Sequence, residues 1–209
     1  IDFKITTRYN SERLIRAAFE YAKQHKRRKV TLVTKSNIIK ATDGLFSEIG
    51  KQLAQDYGID YDEFYVDIMA ANMINPDMQA GFDVIATPNL YGDILSDLAA
   101  QLQGGVGTAG SANIGTRYAM FEAVHGSAPR MLTENRAEYA DPSSIIRAMQ
   151  LMLGHSGYLT EANRLSQVLA TVAADPAYTI TGYNTGITGA ALADHIIDQY
   201  MAAESRSTL

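Results

Sequence analysis

The sequence contains no cysteine. Disulfides, thiolate nucleophiles and cysteine-held zinc or iron–sulfur sites are therefore excluded. The absence fits a reducing compartment, and the cytoplasm, or the mitochondrial matrix of a eukaryote, is the expectation. No apolar run approaches the ~18 residues that a spanning helix needs. No charged n-region followed by an apolar core opens the chain, which begins Ile1-Asp2-Phe3-Lys4. Beginning without Met, it reads as a piece of a longer protein or a processed chain. Positive charge is also short, with 18 Lys and Arg against 23 Asp and Glu. The resulting net charge of −5 makes a poor partner for nucleic acid. The basic run Lys26-Arg27-Arg28-Lys29 closes a predicted helix, where cations complement the macrodipole. Neither nucleic acid nor membrane is expected as a partner.

What is present is a globular chain of 209 residues, long enough for one large or two small domains. Ser11-Glu12 can start a helix that carries Leu14, Ile15, Ala18, Phe19 and Ala22 on one face. Val30 to Thr34 reads as a strand. Asp43 is placed to cap a second helix, which Gly58 ends. Glu63 to Ile68 reads as a strand, Met69 to Ala80 as a short helix broken near Pro76, and Phe82 to Thr87 as a strand ended by Pro88. Tyr91 to Leu102 is an amphipathic helix. Alternating strands and helices predict an α/β fold with a largely parallel sheet. The pattern then changes. Gly104 to Gly115 reads as irregular and Tyr118 to Val124 as a strand. Helices follow at Pro142 to Leu153, Leu159 to Ala173 and Gly189 to Ala203. The expected boundary lies near residue 103, between a domain over 1–103 and a second part over 104–209 that looks unable to complete a sheet alone.

Four groups of residues could carry chemistry. Asp93 and Asp97 are four apart, which puts two carboxylates on one helix face. Their repulsion would be relieved by a divalent cation with oxygen preference, Mg²⁺ or Mn²⁺. Taken alone, such a pair is also what a solvated helix face carries. Asp67 lies at the end of one predicted strand and Lys35 follows another, where open α/β sheets border their ligand crevice. Helix capping and simple solvation are the plain alternatives. A lysine partly desolvated there can act as a base. His125-Gly126-Ser127-Ala128-Pro129 follows a strand and offers backbone close approach and hydrogen bonds, or merely a tight turn. Gly104-Gly105-Val106-Gly107 lacks the spacing of a dinucleotide-binding fingerprint. His25, His155 and His195 read as helix-surface residues without a role.

Together these segments resemble the isocitrate/isopropylmalate dehydrogenase family from about Ile5 to Tyr200. The resemblance is carried by Ser11 to Ala22, Lys35 to Lys40, Asp43-Gly44-Leu45-Phe46, Asn89 to Asp97, Ser111 to Gly115 and Phe121 to Pro129. Each stretch is weak alone; their order and spacing are specific. The fold implied is the family's α/β fold in truncated form, with a small domain over 1–103 and the C-terminal part of the large, cofactor-binding domain over 104–209. The resemblance implies that Asp93, Asp97 and Asp67 are metal ligands for Mg²⁺ or Mn²⁺, that Lys35 is the catalytic lysine, and that Asn37 lies beside the substrate. Lys35 and Asp67 would enter the partner's site in a homodimer. Glu122, His125, Gly126, Ser127, Ala128 and Arg130 would line an NAD or NADP cofactor, with Asp141 near its adenine.

The implied activity is oxidative decarboxylation of a 2-hydroxyacid, isocitrate first. Homoisocitrate, isopropylmalate and tartrate or malate stand as alternatives, as does a non-catalytic regulatory subunit. Lys35 would help remove the hydroxyl proton as hydride leaves, and the metal would polarise the new ketone so that CO₂ departs. Where NAD enzymes of the family carry Asp and many NADP enzymes carry Lys, this chain has Arg130, followed by Met131 instead of tyrosine. Arg130 favours a phosphate, whereas Asp141 opposes one, so the choice of cofactor stays open. The family's catalytic tyrosine and substrate arginines lie upstream of Ile1 by this resemblance. The 209-residue chain by itself is therefore expected to show no turnover or very little. Steady-state assays of the isolated chain with isocitrate, Mn²⁺ and either cofactor check this.

Overall fold

The computed structural model describes residues 1 and 3–207. They form two compact units, Ile1–Ala99 and Ala100–Leu209.

The first unit is built on strand β1 (Lys29–Thr34), which pairs in parallel with β2 (Asp60–Tyr65) on one side and β3 (Val84–Ala86) on the other. β1 has no exposed face. Val30 and Leu32 pack with Ile15 and Phe19 of α1 (Arg8–Gln24) and with Phe46, Ile49 and Leu53 of α2 (Thr42–Tyr57). Val33 turns the other way, onto Met69 and Met73 of α3 (Val66–Met73) and Leu95 of α5 (Asn89–Gln103). A strand buried on both faces reads as a continuous apolar run, which is why it was visible in the sequence. A short helix, α4 (Pro76–Gln79), starts at Pro76 with Asn75 capping it through Asp77 N–H at 3.1 Å.

Three local expectations are corrected. The second strand lies at 60–65, not 63–68. It is an edge strand and tolerates the polar run Asp60-Tyr61-Asp62-Glu63, while Val66 and Ile68 belong to α3. Asp67 therefore sits in the first turn of a helix, where a negative charge is favourable. Helix α1 starts earlier than Ser11, at Arg8, with the Thr7 hydroxyl accepting from Asn10 N–H at 3.2 Å. Asp43 does not cap α2: the cap position is Ala41, with no side-chain bond, and the Asp43 carboxylate is turned into the interior.

In the second unit the glycine-rich stretch is not wholly irregular. Gly110–Ile114 forms β4, antiparallel to β5 (Ala119–Ala123), after a single 3-10 turn at Val106–Thr108. A short helix α6 (Pro129–Thr133) follows, then α7 (Ser143–His155), α8 (Leu159–Ala173) and α9 (Gly189–Ser207). Leu165, Val168, Leu169 and Val172 of α8 make the core with Leu192 and Ile196 of α9, Ile146 and Leu153 of α7 packing beside them. Ser144 joins hairpin to helix: its hydroxyl donates to Ala109 O and accepts from Val124 N–H at 3.3 Å. Among the described residues no helix is long and apolar enough to cross a membrane.

Gly110 explains part of the glycine enrichment. A Cβ there would stand 2.6 Å from the Ala148 backbone nitrogen and 2.8 Å from the Arg147 carbonyl carbon. Neither is a flexible side-chain end, so β4 would have to move off α7. Gly110→Ala is expected to destabilise the protein by about 1–3 kcal/mol, despite the entropy it removes from the unfolded chain. Urea unfolding with an unchanged m-value would measure it.

Candidate active-site residues and a candidate cofactor groove

All three strands of the first unit run the same way, so their carboxyl ends share one edge. Lys35 follows β1 directly, Asp67 follows β2 by two residues, and β3 leads through Thr87 into α5 with Asp93 and Asp97. The Thr87 hydroxyl donates to Val33 O at 3.0 Å, which ties the ends of β3 and β1 together.

The Lys35 ammonium donates to the Asp67 carboxylate and lies 5.7 Å from the Tyr65 ring centre. That hydrogen bond, helped by backbone N–H groups at the start of α3, holds the Asp67 carboxyl below the usual range. The turn after Lys35 is closed by Ile38 and Ile39 N–H on Lys35 O, at 3.0 and 2.8 Å. Asn37 is exposed on that turn. Asp93 and Asp97 are exposed one turn apart on the outer face of α5, and among the described residues neither carboxylate has an ion-pair or hydrogen-bond partner. Hard oxygen donors of this kind suit Mg²⁺ or Mn²⁺. Within the described residues no three acids or histidines stand close enough together to hold a metal. The described chain thus brings Lys35 to Asp67 and leaves Asp93 and Asp97 as a separate pair.

Two carboxylates beneath this edge, Glu63 half-buried and Asp43 buried, were not singled out from the sequence as site residues. Glu63 accepts from the hydroxyls of Ser47 (2.5 Å), Thr34 (2.7 Å), Tyr61 (3.2 Å) and Ser36 (3.4 Å). Burial first, and then the Glu63 charge, push the Tyr61 phenol far above its ordinary value. Asp43, 1% exposed, accepts from Lys4 Nζ (2.5 Å), Lys35 N–H (2.8 Å) and the Tyr91 hydroxyl (2.9 Å). Burial raises its pKa, but the Lys4 ammonium and the two hydrogen bonds outweigh burial and leave the carboxyl below its usual range. The signal available in the sequence was an acid three residues before an apolar Phe46, which reads equally as a cap.

In the second unit, His125, Gly126, Ser127, Ala128 and Asp141 line one groove of about 480 Å³. The groove also takes in Met131, Tyr139, Thr181 and Gly182, of which the sequence had suggested only Met131. Ala128 is held at φ 45, an uncommon conformation for a residue with a side chain. Asp141 accepts from Ser143 N–H at 2.8 Å and abuts Gly107, where a Cβ would come within 3.2 Å of it. Glu122 lies outside the groove lining, on β5, bonded by Asn113 Nδ2 at 2.8 Å. Arg130, 85% exposed, pairs with Glu134 at 2.9 Å and also lies outside the lining. Glu134 takes Arg136 as well, and the two guanidiniums hold its carboxyl below the usual range, Arg136 first. Arg136 also donates to the backbone oxygen of Gly182, a groove residue. His195 is not a plain surface residue: it stacks on Tyr178 at 3.6 Å between ring centres.

With this geometry in view, the relatives are informative. The isocitrate/isopropylmalate dehydrogenase family model matches residues 1–194. An isocitrate dehydrogenase [NADP] of Rickettsia bellii is 43% identical over 183 residues, 87% of this chain and 37% of that protein. A 3-isopropylmalate dehydrogenase of Archaeoglobus fulgidus is 42% identical over 167 residues, 79% of this chain and 50% of that protein. The crystal structure of isocitrate dehydrogenase from Methylococcus capsulatus superposes with a TM-score of 0.88 at 42% identity, covering 95% of this chain and 58% of that one. The chain belongs to the isocitrate/isopropylmalate dehydrogenase family, whose named members here are dehydrogenases. It spans between about a third and a half of the length of the curated relatives it matches.

The Asp43 geometry makes a pH prediction. Its carboxyl is depressed in the folded state, so its contribution is present above the ordinary carboxylate range and is lost as pH falls through and below it. Asp43→Asn should flatten the acid limb of the stability–pH curve between neutral pH and about pH 3. Urea midpoints of both proteins across that range test it.

Proposed function

We propose that the protein carrying this chain catalyses metal-dependent oxidative decarboxylation of a 2-hydroxyacid, isocitrate first, with NAD or NADP as hydride acceptor. The observation that carries the reading is the common carboxyl edge from which Lys35, Asp67 and the α5 acids all emerge. Open α/β sheets bind ligands at such edges. Asp67, Asp93 and Asp97 would hold Mg²⁺ or Mn²⁺, with Asp67 coming from the partner of a homodimer. A bound divalent cation supplies a Lewis acid for the substrate's hydroxyl and carboxylate oxygens, and the nicotinamide supplies the hydride acceptor.

Lys35 would take the hydroxyl proton as the hydride leaves the same carbon, and Asn37 would orient the substrate beside it. The Lys35–Asp67 pair must open for this, which frees the lysine from its carboxylate and the carboxylate for an incoming cation. The His125–Ala128 loop and Asp141 would receive the nucleotide in the groove they line, with Glu122 and Arg130 at its margin. Identities of 43% and 42% to an isocitrate and an isopropylmalate enzyme do not separate those substrates. Isocitrate is favoured by Lys35-Ser36-Asn37-Ile38 and Glu122-Ala123-Val124-His125, the stretches that resemble isocitrate dehydrogenases most.

Two variants of the complete protein test the reading together. Asp93→Asn should cost at least about tenfold in metal-dependent turnover and weaken Mn²⁺ binding measured by titration. Lys35→Ala should lose turnover while keeping the metal. If Lys35 serves the partner's site, mixing the two inactive variants restores isocitrate-dependent NAD(P)H formation, because each mixed dimer holds one intact site. Turnover that survives Asp93→Asn, or variants that fail to complement, would count against the metal role and the shared site respectively.

A further inference from the structure

Asp43 is used in an unusual way for an acid in the first turn of a helix. It makes no bond to the N–H groups of its own helix apart from the neighbouring Thr42 hydroxyl at 3.3 Å. Its other three donors come from separate parts of the chain: Lys4, the backbone of Lys35 and the hydroxyl of Tyr91. A carboxylate offers about four acceptor sites, so this one is saturated. It is almost fully buried, and a buried charge of this kind is costly to leave unpaired.

Two of those donors are informative about function. The Lys35 N–H bond anchors the main chain at the lysine that follows β1. Tyr91 opens the inner face of α5: Tyr91 and Leu95 are buried, whereas Asp93 and Asp97 are exposed. Residues two apart on a helix are about 200° apart around the axis. Pinning Tyr91 therefore fixes the rotation of α5 and, with it, the direction in which Asp93 and Asp97 point. The Lys4 ammonium sits over the same ring, 5.0 Å from its centre, and closes the arrangement.

We propose that Asp43 is a positioning residue, one carboxylate that holds the Lys35 turn and the α5 helix of Asp93 and Asp97 in fixed register. The inference rests on the roles proposed above for Lys35 and the α5 acids. In a dimer whose Lys35 serves the partner's site and whose Asp93 and Asp97 serve their own, Asp43 joins elements of two different active sites within one subunit.

The test is made in the complete protein with Asp43→Asn, Tyr91→Phe and the double variant. Asn can still accept from Lys35 N–H but loses the charge that Lys4 and Tyr91 address. Tyr91→Phe deletes one hydroxyl and leaves the buried charge in place, so it remains informative if Asp43→Asn folds poorly. Asp43→Asn should lower kcat by about 10–100-fold with substrate KM changed less than about threefold, as expected when a supporting bond orients a reacting group. Tyr91→Phe should lower kcat in the same direction by a smaller factor, and the double variant should be no worse than Asp43→Asn, because both act through one bridge.

Amide hydrogen exchange supplies a readout independent of activity. Exchange at Lys35 N–H should quicken in Tyr91→Phe, although Tyr91 is joined to Lys35 only through Asp43, while Leu32 N–H in the middle of β1 stays protected. The proposal is overturned if Lys35 exchange is unchanged in Tyr91→Phe, if it changes only in step with Leu32, or if kcat is unaffected in Asp43→Asn. Should Asp93→Asn and Lys35→Ala retain full turnover, the enzymatic reading fails, and the Lys35 exchange data still judge the bridge on its own.

Discussion

Strand β1 is covered on both faces, and most of the first unit follows from that constraint. Val30 and Leu32 must meet apolar side chains on one side and Val33 on the other, so helices are required on both faces of the sheet. Helices on both faces in turn require crossover connections, which make the strands parallel. Parallel strands deliver every strand end to the same edge. Lys35, Asp67 and the lead-in to Asp93 and Asp97 are thus neighbours in topology although they are scattered over 63 positions of sequence, from 35 to 97. The hydrophobic core and the gathering of the chemical groups are two consequences of one burial pattern.

Beneath that edge, polar groups stand where a core alone would favour apolar ones. Asp43 and Glu63 are each surrounded by donors. Replacing such charges by apolar residues of similar size is often neutral or stabilising, so stability does not explain them. Their donors do: the Lys35 backbone, Thr34, Ser36, Ser47 and Tyr91 lie around the start of the Lys35 turn and the start of α5. Charge-assisted hydrogen bonds have directional demands that apolar packing lacks. The two carboxylates convert a packed edge into one whose backbone is held at defined points. The fully buried Asp43 does this with a cation, Lys4, to offset the desolvation it suffers.

The sequence revealed these two layers unequally. Amphipathic helices and the buried strand β1 of the first unit were legible because burial restricts residue type, and β1 was read within one residue of its observed start. The polar edge strand β2 was misplaced, since pairing with β1 supplies what its own side chains do not advertise. β4 was hidden for a related reason: Gly110 is required by contact with α7, and no local pattern announces a tertiary contact. Among the proposed site residues, Lys35, Asp67, Asp93 and Asp97 could be named because their residue types suit the chemistry and their order resembles a known family. Asp43 and Glu63 carry no such mark. Most of their partners stand 8 to 48 residues away, which only the folded chain discloses.

The groove in the second unit shows how such partners alter a reading of charge. Arg130 taken alone is a free guanidinium suited to a phosphate. In the folded chain it shares Glu134 with Arg136, and Asp141 lines the groove itself. The sign of residue 130 therefore does not by itself give the charge at the groove, because its guanidinium is already paired and lies outside the lining. Arg136 is shielded and fastened to Gly182 O as well as to Glu134, so it is the less free of the two. Arg130 is exposed, and water screens its pair with Glu134, which makes that contact the easier one to give up. The strength of that pair, more than the sign of residue 130, sets how readily the Arg130 guanidinium can meet an anion.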